Sequence, residues 1–519
     1  MASSLWRILS TPWQSVTFSQ ALQLVAGLGL LLLLLKVISL YFRWKRMTAA
    51  FHSFPGPPAH WLFGHIHEFR RDGTDLDKVA AWAEQYPNAF PLWVGKIFSN
   101  LVVTHPEYAK AIYGRSDPKA LTAYNFLIPW IGKGLLILSG ETWFQHRRLI
   151  TPAFHYDVLK PYIKLISDST NVMLDKWETP CKEKRSLELF EHVSLMALDS
   201  IMKCAFSYKN QPYVLCHFRD NPYIRAVYDL SYLTYNRMRS IVYQSSLLFH
   251  LSPDGFRFRK ACRIAHQHTD KVIAQRKKLL KNEEEMEKVK QKRHPDFLDI
   301  LLRAKDEKGR GLSDEDLRAE VDTFMFEGHD TTMSGISWIL YCLAKHPEHQ
   351  KRCREEIQEL LGKRDTMEWE DLNKIPYTTM CIKEGLRLYP PVPVVSRELS
   401  KPITFYDGRS LPAGTITTLN MYCIHRNSSV WKEPEVFDPL RFSPENSNRH
   451  SHAHVPFAAG PRNCIGQNFA MNEMKVAVAL TLNRFELSPD LANPPLLLPQ
   501  IVLRSKNGIH VYLKKANRY

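Results

Sequence analysis

The chain has 519 residues, 45% of them apolar, which is ordinary for a globular protein and long enough for one very large domain or several smaller ones. Lys and Arg total 69 against 53 Asp and Glu, a formal charge of +16 that suits an anionic membrane or an acidic protein partner, while no zinc-finger spacing or RNP-like motif supports nucleic acid. The nine cysteines are odd in number, scattered and without a C-x-x-C pair, which argues for a reducing compartment and against a disulfide framework or a structural zinc site.

The chain opens on a membrane segment. Ala21 to Leu35 is mostly apolar, with six leucines in succession from Leu30, and after Lys36 the run resumes through Phe42. About 22 residues at helical rise span roughly 33 Å, enough for the hydrocarbon core. Lys36 can reach the interface by snorkelling. Arg43, Lys45 and Arg46 follow at once, against Arg7 on the N-terminal side, so the positive-inside rule puts the bulk of the chain in the cytosol. A cleaved signal would be shorter and end on small residues, not on Tyr41-Phe42-Arg43-Trp44. Phe54-Pro55-Gly56-Pro57-Pro58 reads as a stiff, non-helical linker. The expected plan is a short N-terminal tail over 1–20, an anchor over 21–42, a basic and Pro-rich linker over 43–60, and one catalytic domain over 61–519.

Residues 77–115 mix helical patterns with short strands such as Leu101-Val102-Val103-Thr104. In Gly140 to Arg148, Trp143 and Arg147 stand at i and i+4 and share one helix face. Residues 160–275 read as successive helices that carry no catalytic motif. Gln275 to Arg293 is a charge run, a solvated helix or linker.

Ser313-Asp314-Glu315-Asp316 fits a helix N-cap with an acidic N3 residue, with Leu312 and Leu317 as a hydrophobic staple. The apolar-periodic run continues to Lys345 and stops at His346-Pro347, which predicts a helix of about 33 residues, roughly 50 Å. Its middle, Phe326-Glu327-Gly328-His329-Asp330-Thr331-Thr332, conflicts with helix propensity. Gly is a poor helix former, and Thr can bond back to the preceding turn. Local conflicts of this kind often mark function. Glu327 and Thr331 are i and i+4 on one stripe.

Farther on, Glu384 and Arg387 are i and i+3 on a helix ending at Tyr389-Pro390-Pro391, Arg397 follows a Pro-rich turn, and Arg441 lies in Phe437-Asp438-Pro439-Leu440-Arg441-Phe442. Last comes Phe457-Ala458-Ala459-Gly460-Pro461-Arg462-Asn463-Cys464-Ile465-Gly466, followed by a helical run over roughly Gln467 to Arg484. Cys464 therefore sits at a loop-to-helix junction, where free N–H groups and the helix dipole favour a thiolate. Gly460 and Gly466 let a flat ligand approach the backbone. Arg462 is a natural carboxylate partner. A lone thiolate with an arginine and small residues beside it suits axial ligation of haem iron.

The spacing Phe-x-x-Gly-x-Arg-x-Cys-x-Gly resembles the haem-binding loop of the cytochromes P-450. Four separated motifs agree with that family in order, over nearly the whole chain. The resemblance implies a mainly α fold with small β-sheets (α+β) behind one transmembrane helix. It makes Cys464 the axial iron ligand in the loop that begins at Phe457, and Trp143, Arg147, Arg397 and Arg462 partners of the haem propionates. Glu384, Arg387 and Arg441 become a structural lock. Gly328 opens the long helix for dioxygen, and Asp330 and Thr331 pass protons to it. The stretch from Phe324 to Thr332 looks like the signature of the family-four enzymes, closest to their B subfamily, in which a glutamate at the place of Glu327 is esterified to a haem methyl group. The expected activity is monooxygenation of fatty acids at or near the terminal carbon, or of small foreign compounds. Electrons would come from NADPH through cytochrome P-450 reductase, with cytochrome b5 as a second donor, at the endoplasmic reticulum membrane. A reductase-independent isomerase or synthase acting on lipid peroxides and a non-enzymatic haem sensor are the alternatives. Two departures from the family stand out. Gly385 replaces a serine, with some loss of helix propensity, and Ser451-His452-Ala453-His454 replaces Pro, an aromatic residue, Ala and Phe before the loop.

Overall fold

In the computed structural model, described over residues 18–69, 74–95, 98–208, 213, 220–284, 287, 295–305, 309 and 311–517, one long helix follows the N-terminal tail. This α1 (Phe18–Phe51) carries a stretch, Leu22–Phe51, long and apolar enough to cross a membrane. It runs past the expected end of the anchor because no Pro or Gly interrupts the chain until Pro55. The expected linker is accordingly half helix. Its second half is packed, not free: Phe51 and Phe54 are buried in a cluster with Leu101, Val103 and Tyr108. Residues 1–17, which hold most of the expected N-terminal tail, lie outside the described residues, as does much of the charge run after Lys281.

The body is helical with small sheets, as expected. Strands β1 (Ala89–Val94), β2 (Phe98–Val103), β3 (Val394–Glu398) and β4 (Ile416–Asn420) form one sheet in the order β1-β2-β4-β3, with β2 parallel to β4 and the other pairs antiparallel. The helices that position the site are α2 (Gly140–Ile150), α3 (Tyr162–Lys182), α4 (Leu189–Ala205), α5 (Pro222–Arg239), α6 (Pro253–Leu279), α7 (Asp314–Lys345), α8 (Pro347–Leu361), α9 (Pro376–Leu388) and α10 (Gln467–Arg484).

Helix α7 is the axis of the core. Ser313 caps it, its Oγ accepting from Asp316 N at 3.0 Å, and Leu317 is buried against the first turn. Its 32 residues run unbroken through the Gly-Asp-Thr-Thr region. The threonine hydroxyls do bond back: Thr331 donates to the Glu327 carbonyl at 2.7 Å and Thr332 to that of Gly328 at 2.7 Å. Three helices cross α7 at residues too small to hold them off. A Cβ on Gly328 would lie 2.9 Å from Ile201 of α4, one on Gly335 2.5 Å from Met474 of α10, and one on Gly385 of α9 2.7 Å from Ile339 of α7. Gly328 and Gly385 thus have a packing reason that propensity did not reveal, and a serine at 385 would have to displace Ile339.

Candidate haem-thiolate site

The cysteine loop is bent back on itself. Cys464 N donates to the Phe457 carbonyl at 2.9 Å and Asn463 N to that of Gly460 at 3.1 Å. Ala458 and Gly460 take positive φ, 57° and 72°. A Cβ at Gly460 would lie 1.8 Å from the Tyr113 carbonyl, so only glycine lets the loop pass there. Phe457 is half-buried and packs on the main core. The Gly466 N–H points at the cysteine sulfur at the start of α10, which favours thiolate, but burial outweighs it and pushes the free thiol up to about 11. A cation at the sulfur is what would hold it ionised.

Cys464 is solvent-accessible although it lies deep in the molecule, because it opens onto an interior cleft. The middle of α7 shows the other wall. From Val321 to Leu340 only Glu327, Gly328 and Thr331 are not fully buried. They are i, i+1 and i+4, one face of the helix. Burial raises the Glu327 carboxyl to about 7 against the opposing charge of Lys119.

At the rim of the cleft cations converge. Arg462 lies over the Trp143 ring at 4.6 Å and donates to the Leu138 carbonyl at 2.7 Å, while its Nη1 is buried with no partner. Burial and the neighbouring Arg397 lower Arg462 to about 10. Arg397, on β3, is 2% exposed and gives one bond to its neighbour's carbonyl. Lys119, bridged to Arg397 through the backbone, lies over the Tyr124 ring, and burial beside Arg397 and Arg462 drives it well below the usual lysine range. The Tyr113 hydroxyl is buried without a partner. An accessible thiol deep in the molecule, with three crowded cations and an orphaned guanidinium N–H near it, fits a haem and its two propionates.

Arg147, expected beside a propionate, here reaches the cysteine loop itself. Its Nη1 and Nη2 donate to the carbonyl and the Oδ1 of Asn463, at 2.8 and 3.0 Å, so it clasps the loop one residue before the cysteine. Asp330 is not at the cleft wall. It is fully buried behind α7, paired with Arg504, which in turn lies over Tyr228 of α5. Glu384, Arg387 and Arg441 meet as expected. The first two are fully buried and doubly bonded at 2.7 and 2.8 Å, and Arg441 Nε approaches Glu384 at 3.4 Å. His454, which departs from the family's aromatic residue, acts as one: its ring packs on Phe442 and His425, and burial keeps it neutral, down to about 3.

Sequence reasoning missed Lys119, Tyr113, Arg504 and the His146–Glu320 pair. His146 Nδ1 lies 2.7 Å from Glu320 Oε1, and Leu135 N donates to Oε2 at 3.1 Å, which docks α2 onto α7. The i+3 spacing of His146 from Trp143 and its interior place on a polar helix were the available signal. Lys119, in Asp117-Pro118-Lys119-Ala120, carried none.

The fold, the lock and the thiol loop together define a haem-thiolate enzyme. The cytochrome P-450 family model matches residues 54–512, and the chain belongs to that family. It is a haem-iron monooxygenase, an oxidoreductase. Among its relatives are rat cytochrome P-450 4B1, 57% identical over 93% of this chain and 94% of the relative, rabbit cytochrome P-450 4A6, 57% identical over 96% and 97%, and human cytochrome P-450 4A11, 56% identical over 96% and 95%. The expected place among the family-four enzymes holds, with both the A and the B subfamilies represented at similar identity.

Proposed function

We infer that the chain is anchored by α1 in the endoplasmic reticulum membrane, with its body in the cytosol, and hydroxylates fatty acids at or near the terminal carbon. The single observation that carries the reading of the site is the partly accessible stripe Glu327, Gly328 and Thr331 on α7, with Glu327 within electrostatic reach of the accessible Cys464. Bound haem supplies the iron at which dioxygen is split, one atom entering the substrate and the other leaving as water. Cys464 holds the iron, Arg462, Arg397 and Lys119 hold the propionates, Trp143 stacks under Arg462, and Arg147 keeps the loop in place. Thr331 presents its hydroxyl oxygen to the cleft while its proton rests on the Glu327 carbonyl. Asp330 feeds protons to Thr331 when its side chain leaves Arg504. Gly328, whose missing Cβ lets Ile201 of α4 pack close, sets where this turn of α7 lies.

Glu327 is the residue that would tether the haem as an ester. Its carboxyl, raised by burial to about 7, is about half ionised at neutral pH. Reductase supplies NADPH-derived electrons, with cytochrome b5 as a second donor, and the net positive charge of the chain supports an acidic partner on the cysteine side. The test is reconstitution with reductase, NADPH and fatty acids of graded length beside aromatic amines, with the new oxygen located by mass spectrometry. Terminal oxygen on one chain-length class supports the reading. Oxidation of the amines alone replaces the lipid role with foreign-compound metabolism, and turnover without NADPH points to an isomerase. Acid extraction should leave haem on the wild type and release it from Glu327→Ala; equal release from both sinks the tether.

A further inference from the structure

Glu473 is a buried carboxylic acid with no role so far. It lies on α10, seven residues into the helix that Cys464 introduces, and is 0% exposed. The hydroxyls of Thr332 on α7 and Ser200 on α4 face its carboxyl, although neither carboxyl oxygen is within strict hydrogen-bond geometry of a donor. Both hydroxyl protons are directed elsewhere: Thr332 donates to the Gly328 carbonyl at 2.7 Å, and Ser200 to the Met196 sulfur at 3.5 Å. With its one proton on a backbone carbonyl, what the Thr332 oxygen offers Glu473 is a lone pair. No cation is among the groups acting on the carboxyl, and burial outweighs what the two hydroxyls do to hold it down. A neutral acid has one O–H to give. Burial raises the carboxyl to about 8. The titratable groups nearby are the Cys204 thiol on α4 and, beyond it, the Tyr162 phenol on α3, both pushed up by burial. Thr332 and Gly335, which α7 turns toward α10, carry no charge.

We propose that Glu473 is a positioning residue that works as a neutral acid, donating its O–H to Thr332 Oγ1 and so fixing the rotation of α7 at which Thr331 faces the cleft. Thr332 and Thr331 are neighbours, about 100° apart around the helix. Anchoring the first from behind sets the direction of the second. The hydrogen bonds run Glu473 to Thr332 to the Gly328 carbonyl. They join the helix of the cysteine loop to the turn of α7 that lines the opposite wall, and so hold the spacing between Cys464 and Thr331. This rests on the proposed proton-delivering role of Thr331.

The experiment compares Glu473→Gln, Glu473→Leu and Thr332→Val in the full-length holoenzyme. Infrared difference spectra of wild type against Glu473→Gln at neutral pH should show the C=O band of a neutral carboxylic acid that the variant lacks. Absence of that band overturns the proposal. The folded chain holds this proton at pH values where the unfolded chain has lost it. Wild-type melting temperature should therefore fall as pH rises toward and through about 8. Glu473→Gln, which keeps a donor, should flatten that fall, and an equal slope in both proteins overturns the proposal. Glu473→Leu and Thr332→Val should each lower the share of NADPH recovered as product by roughly fivefold, the worth of one hydrogen bond, with KM unchanged. Their double variant should lose no more than either alone, and additive losses overturn the chain of bonds. If Glu473→Leu takes up no haem, Thr332→Val against Glu473→Gln carries the same comparison. Should Thr331→Ala keep full product yield, the role given to Thr331 fails while the infrared band still reports on Glu473.

Discussion

Two ion pairs are buried in the body, Glu384 with Arg387 and Asp330 with Arg504, and they are built differently. Glu384 and Arg387 are completely satisfied. Besides the double bond between them, Arg387 donates to the carbonyls of His425, Pro434 and Val436, and Asp438 N donates to Glu384 at 2.9 Å. Asp330 and Arg504 have one contact, and both Asp330 Oδ2 and Arg504 Nε are buried without a partner. The first pair ties three separate stretches of chain into one position and has nowhere else to go. The second leaves donor and acceptor capacity over, so a rearrangement that rehydrates it loses little. A fully bonded pair serves as a lock, and a half-bonded one serves as a latch that can open during proton delivery.

Breaking the lock should have the largest effect. Arg387→Ala leaves Glu384 charged and unpaired in the core, at a cost of about 3–5 kcal/mol. Haem content, read from the carbon monoxide difference spectrum, should fall to background. Arg387→Lys should fall with it, because a point charge cannot reach both Glu384 oxygens and three carbonyls. Arg504→Leu opens the latch and should cost less, about 1–3 kcal/mol in denaturant unfolding. The haem spectrum should survive and the pH profile of turnover should move, since Asp330 loses its counter-charge; an unchanged profile would show that Asp330 stays behind the helix throughout. Gly385→Ser adds a Cβ against Ile339 and pushes the lock helix from α7. About 1 kcal/mol is expected, visible as a lower unfolding midpoint with normal haem.

The smallest effect concerns the dock of α2. Glu320 raises His146 above its ordinary 6.5. The folded protein therefore holds a proton that the unfolded chain gives up first. That share of stability is fully present below 6.5 and is lost as pH rises through the raised value. Melting temperature against pH should fall less steeply across that window in His146→Phe than in the wild type. A fall of the same size in the variant would place the proton elsewhere.

The chain itself announced its haem site unevenly. Cys464, Arg462, Glu384 and Arg387 were legible because their spacing is local: a loop into a helix, and i, i+3 on one face. Thr331 and Glu327 were legible for the same reason, as an i, i+4 stripe. The contact of Arg147 with Asn463 was not legible, since Asn463 is more than 300 residues away in the chain. Asp330 was read as a proton carrier beside Thr331, but its pairing with Arg504 was not legible, since neighbours on a helix point about 100° apart and Arg504 lies far along the chain. Gly328 and Gly385 looked like weaknesses of their helices. They are the points where α4 and α7 press in, which no local propensity can express.

What the sequence determined alone was everything that rests on period and neighbourhood. That includes the apolar anchor helix, the cap and length of α7, the loop-to-helix setting of Cys464, and the family those motifs compose. What only the tertiary structure decided was which polar groups are paired. Lys119 joins Arg397 and Arg462 at the cleft rim, His146 finds Glu320, Arg504 finds Asp330, and Glu473 is left between two hydroxyls whose protons point away. Pairing depends on which helix faces which, and that follows from the packing of the whole core, where a single missing Cβ at residue 328, 335 or 385 sets how closely the helices meet.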